Sequence, residues 1–177
     1  MSLNIRKVKS GDLQPLVHLI NTAYRTQTGR SWTSEKQWVQ GNRITEEQLA
    51  DDLQQPYFEL LVGIQDDEKI IACIGLTSYG DKMEIGTFAI SPAVQNQGYG
   101  RQLLEYAEHY VKQYHPVIHT LVMYVLDVRT ELLAYYQRCG YQLTGQVASY
   151  PLEANVGLPL IPIQLLEMKK DLSKQIP

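Results

Sequence analysis

The sequence lacks the features that mark nucleic-acid-binding, membrane and secreted proteins. Lys and Arg number 16 against 19 Asp and Glu, so the formal net charge is -3, whereas nucleic-acid or anionic-membrane binding normally requires a basic excess. The longest apolar runs, at residues 121–126 and 158–163, are far shorter than the roughly 20 residues that cross a bilayer. Residues 1–10 mix basic and polar side chains and do not resemble a signal peptide. We therefore expect a soluble, cytoplasmic protein with no nucleic-acid or membrane partner.

Cysteine and histidine are too scattered to indicate a metal site. Cys73 lies in an apolar run and Cys139 follows a helical pattern, and neither has a second cysteine at CxxC spacing. We interpret both as small buried hydrophobic residues. The four histidines show no HExxH arrangement and no carboxylate pair nearby, so we predict no metal.

The hydrophobic pattern is typical of one compact domain that contains both strands and helices. At 44% hydrophobic and 20% charged, residues 1–177 fit a single globular domain with a sizeable core. Apolar residues at helical spacing predict four helices, which follow Asp12, Thr45, Gly100 and Arg129. Strand-like runs lie at residues 3–8, 57–64, 70–78, 83–90, 117–126, 141–147 and 163–169. This order predicts an α/β fold, with a mixed central sheet of about seven strands and helices packed on both faces.

The starts of the first two helices carry local signals. Asp12 is a candidate cap for the first helix. Thr45 and Gln48 form a capping-box pattern before the second, and Ile44 and Leu49 are placed to pack as a hydrophobic staple around it. We expect an acidic turn at residues 66–68 between two strands of a hairpin.

A glycine-containing turn at residues 91–101 joins a strand to a helix and indicates an anion site. Gly98 and Gly100 let the backbone fold closely around a ligand, and the N–H groups at the helix start favour a pyrophosphate. A Walker loop is excluded, because Arg101 and Gln102 stand where that motif needs Lys and Ser or Thr. The dinucleotide fingerprint fits poorly, since Leu103 occupies the position of its third glycine.

The same turn resembles motif A of the GNAT superfamily of acetyltransferases, Gln/Arg-x-x-Gly-x-Gly/Ala after a strand. Gln95, Gly98 and Gly100 match the motif, and Pro92 matches the proline that often precedes it. The resemblance implies that acetyl-coenzyme A is the co-substrate, held by N–H groups of residues 97–101 and by the backbone of a parted strand. The residues assigned to the coenzyme in this way are Phe88, Ala89, Ile90, Gln95, Asn96, Gln97, Gly98, Tyr99, Gly100, Arg101 and Arg129.

A second part of the chain, residues 129–141, is similar to a later GNAT motif. Tyr135 and Tyr136 match its aromatic pair, and Gly140 with Tyr141 match its glycine-aromatic ending. Arg129 replaces the asparagine that usually contacts the coenzyme. The resemblance extends over about residues 3–169 and implies a GNAT-like fold.

The resemblance also implies catalytic roles for two residues. Because an amine with a pKa near 10.4 is neutral in only about one molecule in a few thousand at pH 7, a base or a proton path to water is needed. Glu84 stands where relatives place a glutamate base, although a water path or a salt-bridged strand glutamate is an alternative. Tyr136 matches the tyrosine that protonates the departing thiolate, with simple core packing as its alternative. We expect backbone N–H groups near Ala89 and Ile90 to polarise the thioester carbonyl.

In this family the acceptor pocket is built largely by two connecting segments, which here are residues 25–43 and 149–162. Arg30, Trp32 and Arg43 are candidates for binding an amine that also carries a carboxylate or phosphate. A solvated basic loop with buried tryptophans is the alternative.

Three functions remain open. An N-acetyltransferase that acts on a small-molecule primary amine in a ternary complex ranks first, protein or peptide N-acetylation second, and a non-catalytic acyl-coenzyme A sensor third. A homodimer paired through the β-rich C-terminal segment stays an open alternative to a monomer.

Overall fold

The computed structural model describes residues 3–26, 34–65 and 68–173. Its helices are α1 (Leu13–Arg25), α2 (Glu46–Gln54), α3 (Tyr99–Tyr114) and α4 (Thr130–Arg138). Its strands are β1 (Asn4–Lys7), β2 (Val39–Gln40), β3 (Phe58–Ile64), β4 (Ile70–Tyr79), β5 (Lys82–Ile90), β6 (Thr120–Leu126), β7 (Gln142–Ser149), β8 (Leu158–Pro159) and β9 (Gln164–Asp171).

The main sheet has seven strands in the order β1-β3-β4-β5-β6-β9-β7. The β5–β6 pair is parallel and the other pairs are antiparallel. The predicted mixed α/β fold of about seven strands and four helices is confirmed. A second sheet, formed by β2 and β8, was not predicted, because strands of two residues carry no measurable alternation.

Helices cover both faces of the main sheet. Successive residues of a strand point to opposite faces, and in β3 Leu61 belongs to one hydrophobic cluster while Leu60 and Val62 belong to the other. The cluster around Leu61 includes buried residues of α3 and α4, and the cluster around Leu60 includes those of α1 and α2. The core therefore consists of two layers, one on each side of the sheet.

The predicted helix starts are only partly correct. At α2 the capping box is present, with the Thr45 N–H donating to Gln48 Oε1 at 2.8 Å and the Gln48 N–H to Thr45 Oγ1 at 3.2 Å. Asp12 does stand at the start of α1, but its side chain does not cap that helix. Its carboxylate instead accepts the Lys9 N–H at 2.7 Å and a bidentate pair of bonds from Arg6 at 2.6 and 3.0 Å. These stronger charged bonds use the oxygens that a cap would need.

The hairpin of β3 and β4 is present, but residues 66 and 67 of its predicted acidic turn lie outside the described residues.

Candidate active site

The two central strands of the sheet separate along their length. Within the described residues, β5 and β6 pair at three positions only, and Glu84 opposite Val122 is the last of them. Beyond that point β5 continues to Ile90 and β6 to Leu126 without pairing with each other. The result is a wedge-shaped opening between residues 85–90 and 123–126.

A β-bulge bends β5 at this opening. Thr87 and Phe88 together stand opposite the single residue Ile74 of β4, because the register shifts between the flanking pairs. Thr87 has a φ of 47°, which L residues rarely adopt and which occurs most often at functional sites. The Tyr24 hydroxyl donates to the Phe88 carbonyl at 3.1 Å and Cys73 Sγ–H donates to the Thr87 carbonyl at 3.4 Å, and these bonds hold the bulge in place.

A cavity of about 280 Å³ lies on one side of this strand, above the start of α3. The turn that leads into the helix contains two residues with positive φ, Asn96 at 64° and Gly98 at 80°. A Cβ added at Gly98 would meet no atom within 4 Å, so the space over this helix N-terminus is open to a ligand. A Cβ added at Gly100 would point towards Ile90 and Phe88 of the cavity wall, 3.6 and 3.9 Å away. The turn therefore fits a bulky anion, since helix N–H groups and their dipole favour negative charge there.

Most of the residues predicted to bind the coenzyme line this cavity. They are Phe88, Ile90, Gln95, Asn96, Gly98, Tyr99, Gly100 and Arg101, joined by Val94, Leu132, Tyr135 and Tyr136. Gln95 is tied to the strand, because its Nε2 donates to the Ile90 carbonyl at 3.1 Å. Ala89 and Gln97 are not in the lining: Ala89 is buried against α1, and the side chain of Gln97 is exposed.

A second cavity, of about 220 Å³, lies on the other side of Phe88. It is lined by residues 84–88 of β5 and 123–126 of β6, by Tyr24, Glu35, Arg43, Arg129, Leu132 and Tyr136, and by Tyr150, Pro151, Val156 and Leu165. Phe88, Leu132 and Tyr136 line both cavities. The two spaces therefore meet at these three side chains, where β5 and β6 have parted.

The two connecting segments predicted to form an acceptor pocket come together over the second cavity. Strands β2 and β8 pair between them, and the Leu160 N–H donates to the Trp38 carbonyl at 2.7 Å. Arg25 joins three pieces of chain: it forms an ion pair with Glu35 at 2.9 Å and donates to the carbonyls of Gly41 at 2.7 Å and Val156 at 2.6 Å.

Glu84 lies in the wall of the second cavity, at the point where the two strands begin to part. It is half-buried, and burial raises the pKa of its carboxyl above the ordinary value. None of the described Lys and Arg side chains forms an ion pair with it. A carboxylate in this environment is a stronger base than one in water.

Tyr136 is buried where the two cavities meet. Its ring packs against Tyr135, Tyr141 and Phe88, with centroids 5.3, 6.0 and 6.5 Å away. Burial raises the pKa of its hydroxyl well above the ordinary value, so the group stays protonated at neutral pH. Its backbone is held by the C-terminal turn of α4, where the Tyr141 N–H donates to the Tyr136 carbonyl at 3.0 Å across Gly140, whose φ is 93°. This is the hydrogen bond of a Schellman motif.

Arg129 lies on the acceptor side rather than in the coenzyme-side lining. Its side chain is 3% exposed, with Nε donating to Glu131 at 2.7 Å and Nη1 to the Ser34 carbonyl at 2.9 Å. Its guanidinium also lies 5.7 Å from the Trp38 ring centroid. The side chain of Arg129 thus reaches across to residues 34–38 and lines the second cavity, whereas the sequence predicted it at the coenzyme.

Of the predicted acceptor residues, Arg43 lines the second cavity. Arg30 and Trp32 lie outside the described residues. Sequence reasoning missed Tyr24, Glu35 and Tyr150. Glu35 and Tyr150 lie within the two segments predicted to build the acceptor pocket but were not singled out. Tyr24 continues the apolar stripe of α1 four residues after Ile20, a spacing that does not distinguish packing from a site.

In the described ranges, no group of three or more His, Cys, Asp or Glu side chains is arranged to hold a metal ion. The helices of the same ranges are too short or too polar to cross a membrane.

Comparison with known proteins identifies the family. Residues 16–141 match the model of the acetyltransferase (GNAT) family. The chain belongs to this family, and it is an acetyl-coenzyme A-dependent acyltransferase. No curated protein matches the sequence significantly.

Solved GNAT structures share the fold at low identity. The ribosomal-protein-S18-alanine N-acetyltransferase from Escherichia coli is 19% identical, with a TM-score of 0.71 over 98% of this chain and 96% of that one. The spermidine N-acetyltransferase from Vibrio cholerae, in complex with CoA and spermine, is 17% identical, with a TM-score of 0.72 over 98% and 97%. A GNAT family acetyltransferase from Elizabethkingia anophelis with acetyl-CoA bound is 19% identical, with a TM-score of 0.69 over 96% and 98%.

Proposed function

We propose that the protein transfers the acetyl group of acetyl-coenzyme A to a primary amine of a small molecule, by direct attack in a ternary complex. The observation that carries this proposal is the common wall of the two cavities, formed by Phe88, Leu132 and Tyr136. A thioester reaching this wall from one cavity and an amine reaching it from the other would be adjacent. Such positioning alone supplies a large part of the rate in two-substrate reactions.

The first cavity is the proposed coenzyme site. The turn at residues 95–98 and the first turn of α3 would hold the pyrophosphate through backbone N–H groups. Gly98 is suited to this because its φ of 80° is favourable only for glycine. Arg101 would add little, since it is exposed and already forms an ion pair with Glu105 at 2.7 Å. The co-substrate itself supplies the activated acetyl group.

Glu84 is the proposed base. Its raised pKa and its place in the wall of the second cavity suit it to take a proton from an ammonium group, directly or through water. Tyr136 is the proposed acid. It keeps its proton at neutral pH and borders both cavities, so it can protonate the thiolate that leaves when the amine attacks.

The second cavity supports a small acceptor in preference to a polypeptide. Its volume is about 220 Å³. The β2–β8 pair and the bonds of Arg25 hold residues 34–43 and 150–159 together across it. A peptide would require this joined pair of segments to separate.

Measurements of coenzyme A binding and of amine acetylation distinguish the three candidate functions. We expect calorimetry to detect coenzyme A binding to the wild type, and Gly98→Val to weaken it because valine is strained at a φ of 80°. Gly145→Val is the matched control, since Gly145 has a φ of 84° and open space around it and lies outside the cavity lining. A screen of small amines and lysine-containing peptides for thiol release then tests the acceptor.

Turnover of small amines above peptides supports the proposal, and the reverse preference supports protein acetylation. Intact coenzyme binding without turnover of any amine supports a sensor and refutes the proposed function.

A further inference from the structure

We propose that the acceptor carries an anionic group, a carboxylate or a phosphate, close to its amine, and that Arg43 binds this group. The inference rests on the proposed function and specifies its substrate class. It comes from the surroundings of Arg43 and from the distribution of charge in the second cavity.

The main chain of Arg43 is fixed to the scaffold. Its N–H donates to Asn21 Oδ1 on α1 at 2.7 Å, and the next N–H, from Ile44, donates to the same oxygen at 3.2 Å. Asn21 Nδ2 returns a bond to the Ile44 carbonyl at 2.8 Å. One amide side chain thus holds this backbone at three points, so the arginine projects from a rigid base into the cavity.

The side chain of Arg43 lies over an aromatic ring that connects it to the centre of the site. Its guanidinium carbon is 5.3 Å from the centroid of Tyr24, a distance that favours a cation–π contact. The hydroxyl of the same tyrosine donates to the carbonyl of Phe88, which borders both cavities. A ligand bound to Arg43 would therefore lie in the same cavity as Phe88, with Tyr24 between the two.

Arg43 has no carboxylate partner, in contrast to the other part-buried arginines in the described ranges. Arg6 pairs with Asp12, Arg25 with Glu35 and Arg129 with Glu131. No described carboxylate comes within ion-pair distance of Arg43. Burial raises the pKa of the Asp52 carboxyl, and Arg43 is near enough to oppose that rise, but the two form no ion pair. A half-buried cation without a partner gains from an anionic ligand, because charge is unfavourable in a poorly hydrated site.

The remaining charges of the cavity favour an acceptor with one charge of each sign. Four ionised groups line it: Glu35, Glu84, Arg43 and Arg129. Glu35 is neutralised by Arg25 and Arg129 by Glu131, so the uncompensated pair is Glu84 on β5 and Arg43 beside α1. An ammonium directed to Glu84 and an anion directed to Arg43 satisfy both. A polyamine would bring a second ammonium group to a cavity in which, once Glu84 is paired, the remaining uncompensated lining group is the cation Arg43.

Steady-state kinetics with matched acceptors tests this inference. The panel contains the common amino acids with their carboxamides, aminoalkyl phosphates with the corresponding amino alcohols, and spermidine. We expect the anionic member of the best pair to exceed its neutral partner in kcat/KM by about 10- to 100-fold, the range expected of a charge-assisted contact. The better of the two anionic series identifies the group as carboxylate or phosphate.

Substitution of Arg43 provides the decisive comparison. Arg43→Gln should abolish the preference for the anionic member through a raised KM, Arg43→Lys should retain part of it, and the calorimetric affinity for coenzyme A should not change in either. Comparing the ratio between the variant and the wild type cancels the difference in amine pKa and reactivity between the two members of a pair. Arg138→Gln, on the exposed surface of α4, is the control and should keep the wild-type ratio.

Two results would overturn the inference while leaving the proposed function intact: neutral amines or spermidine consumed as efficiently as the anionic acceptors, or an anionic preference unchanged in Arg43→Gln. Coenzyme binding without turnover of any amine in the panel would overturn both.

Discussion

Burial shifts the pKa of Glu84 and that of Tyr136 in the same direction. It is the largest cause of the raised pKa of each group. For a carboxylate, a raised pKa means a stronger base, and for a phenol it means a proton that is held more tightly. In the proposed mechanism Glu84 takes up a proton at the start of the acetyl transfer, and Tyr136, protonated beforehand, is the proton source for the thiolate at its end.

Replacement of Glu84 tests the first of these roles. Glu84→Gln removes the basic oxygen with little change of shape, and we expect kcat/KM to fall by about 10²- to 10⁴-fold. In the wild type, kcat/KM should fall at acidic pH with an apparent pKa above the ordinary range of a carboxyl group. This acidic fall should disappear in Glu84→Gln. An unaltered turnover and profile would eliminate Glu84 as the base and favour a water path.

Glu84→Gln should lower the activity of the protein but raise its stability at neutral pH. Because the folded-state pKa of Glu84 is raised, its contribution to stability is greatest below the unfolded pKa and is lost as pH rises through the folded value. Glu84→Gln should therefore raise Tm at about pH 7 and have little effect at about pH 4, where the carboxyl is protonated in both states. Thermal unfolding at the two pH values measures this, and a lower Tm at neutral pH would contradict it.

Replacement of Tyr136 separates catalysis from packing. Tyr136→Phe keeps the ring between Phe88, Tyr135 and Tyr141, and among the described residues the lost hydroxyl has no hydrogen-bond partner. We expect kcat to fall by about 10²- to 10⁴-fold with little change in Tm.

The control is Tyr106→Phe on the exposed face of α3, which should alter neither quantity. If Tyr136→Phe kept the wild-type kcat across the pH range, Tyr136 would have a packing role and no catalytic one.

At the scale of elements, the cover of the second cavity, which is the proposed acceptor site, depends on the small sheet of β2 and β8. Gly157 lies beside it with a φ of 116°. A Cβ there would stand 2.6 Å from Val39 Cγ1, 2.8 Å from Arg25 Nη2 and 2.9 Å from the Gln40 carbonyl oxygen. The two segments approach this closely only because the residue has no side chain.

Gly157→Ala should therefore loosen the cover of the acceptor cavity. We expect a loss of about 2–4 kcal/mol in the free energy of unfolding, from positive φ and overpacking together, and a raised acceptor KM. The calorimetric affinity for coenzyme A should not change, because the first cavity lies on the other side of Phe88.

Gly145→Ala, at a φ of 84° in open space on β7, is the matched control for backbone strain alone. An equal rise in acceptor KM in both variants would mean that the β2–β8 contact does not shape the site.

At the scale of the whole molecule, the two cavities allow both substrates to be bound together. The two cysteines are poor candidates for carrying the acetyl group, since burial raises the pKa of Cys73 to about 12 and also raises the pKa of Cys139. A protonated thiol is a weak nucleophile. The acetyl group should therefore pass directly from the thioester to the amine.

Initial-rate kinetics tests this arrangement. Double-reciprocal plots with both substrates varied should intersect, as required for a ternary complex. Mass spectrometry after incubation with acetyl-coenzyme A alone should show unmodified cysteine side chains. Parallel lines together with an acetylated cysteine would establish a covalent intermediate instead.

Sequence patterns were sufficient for the features that depend on neighbouring residues. Strand and helix periods, the Thr45–Gln48 capping box and the helix-ending Gly140 each involve contacts within a few positions, and all are present in the structure. The glycine turn at residues 95–100 is local in the same sense, and its resemblance to a GNAT motif indicated the family that the family model then identified. The catalytic and ligand-binding roles stay predictions.

Only the tertiary structure decided which distant side chains meet. Arg129 reaches residue 34, and Tyr24 joins Arg43 to Phe88. The amino-acid sequence by itself determined the order of the elements and the class of the protein, because periodicity and caps act over a few residues. The shape and charge of the acceptor cavity arise where β5 and β6 part, from segments more than 60 residues apart such as Tyr24 and Phe88, and no local pattern records such contacts.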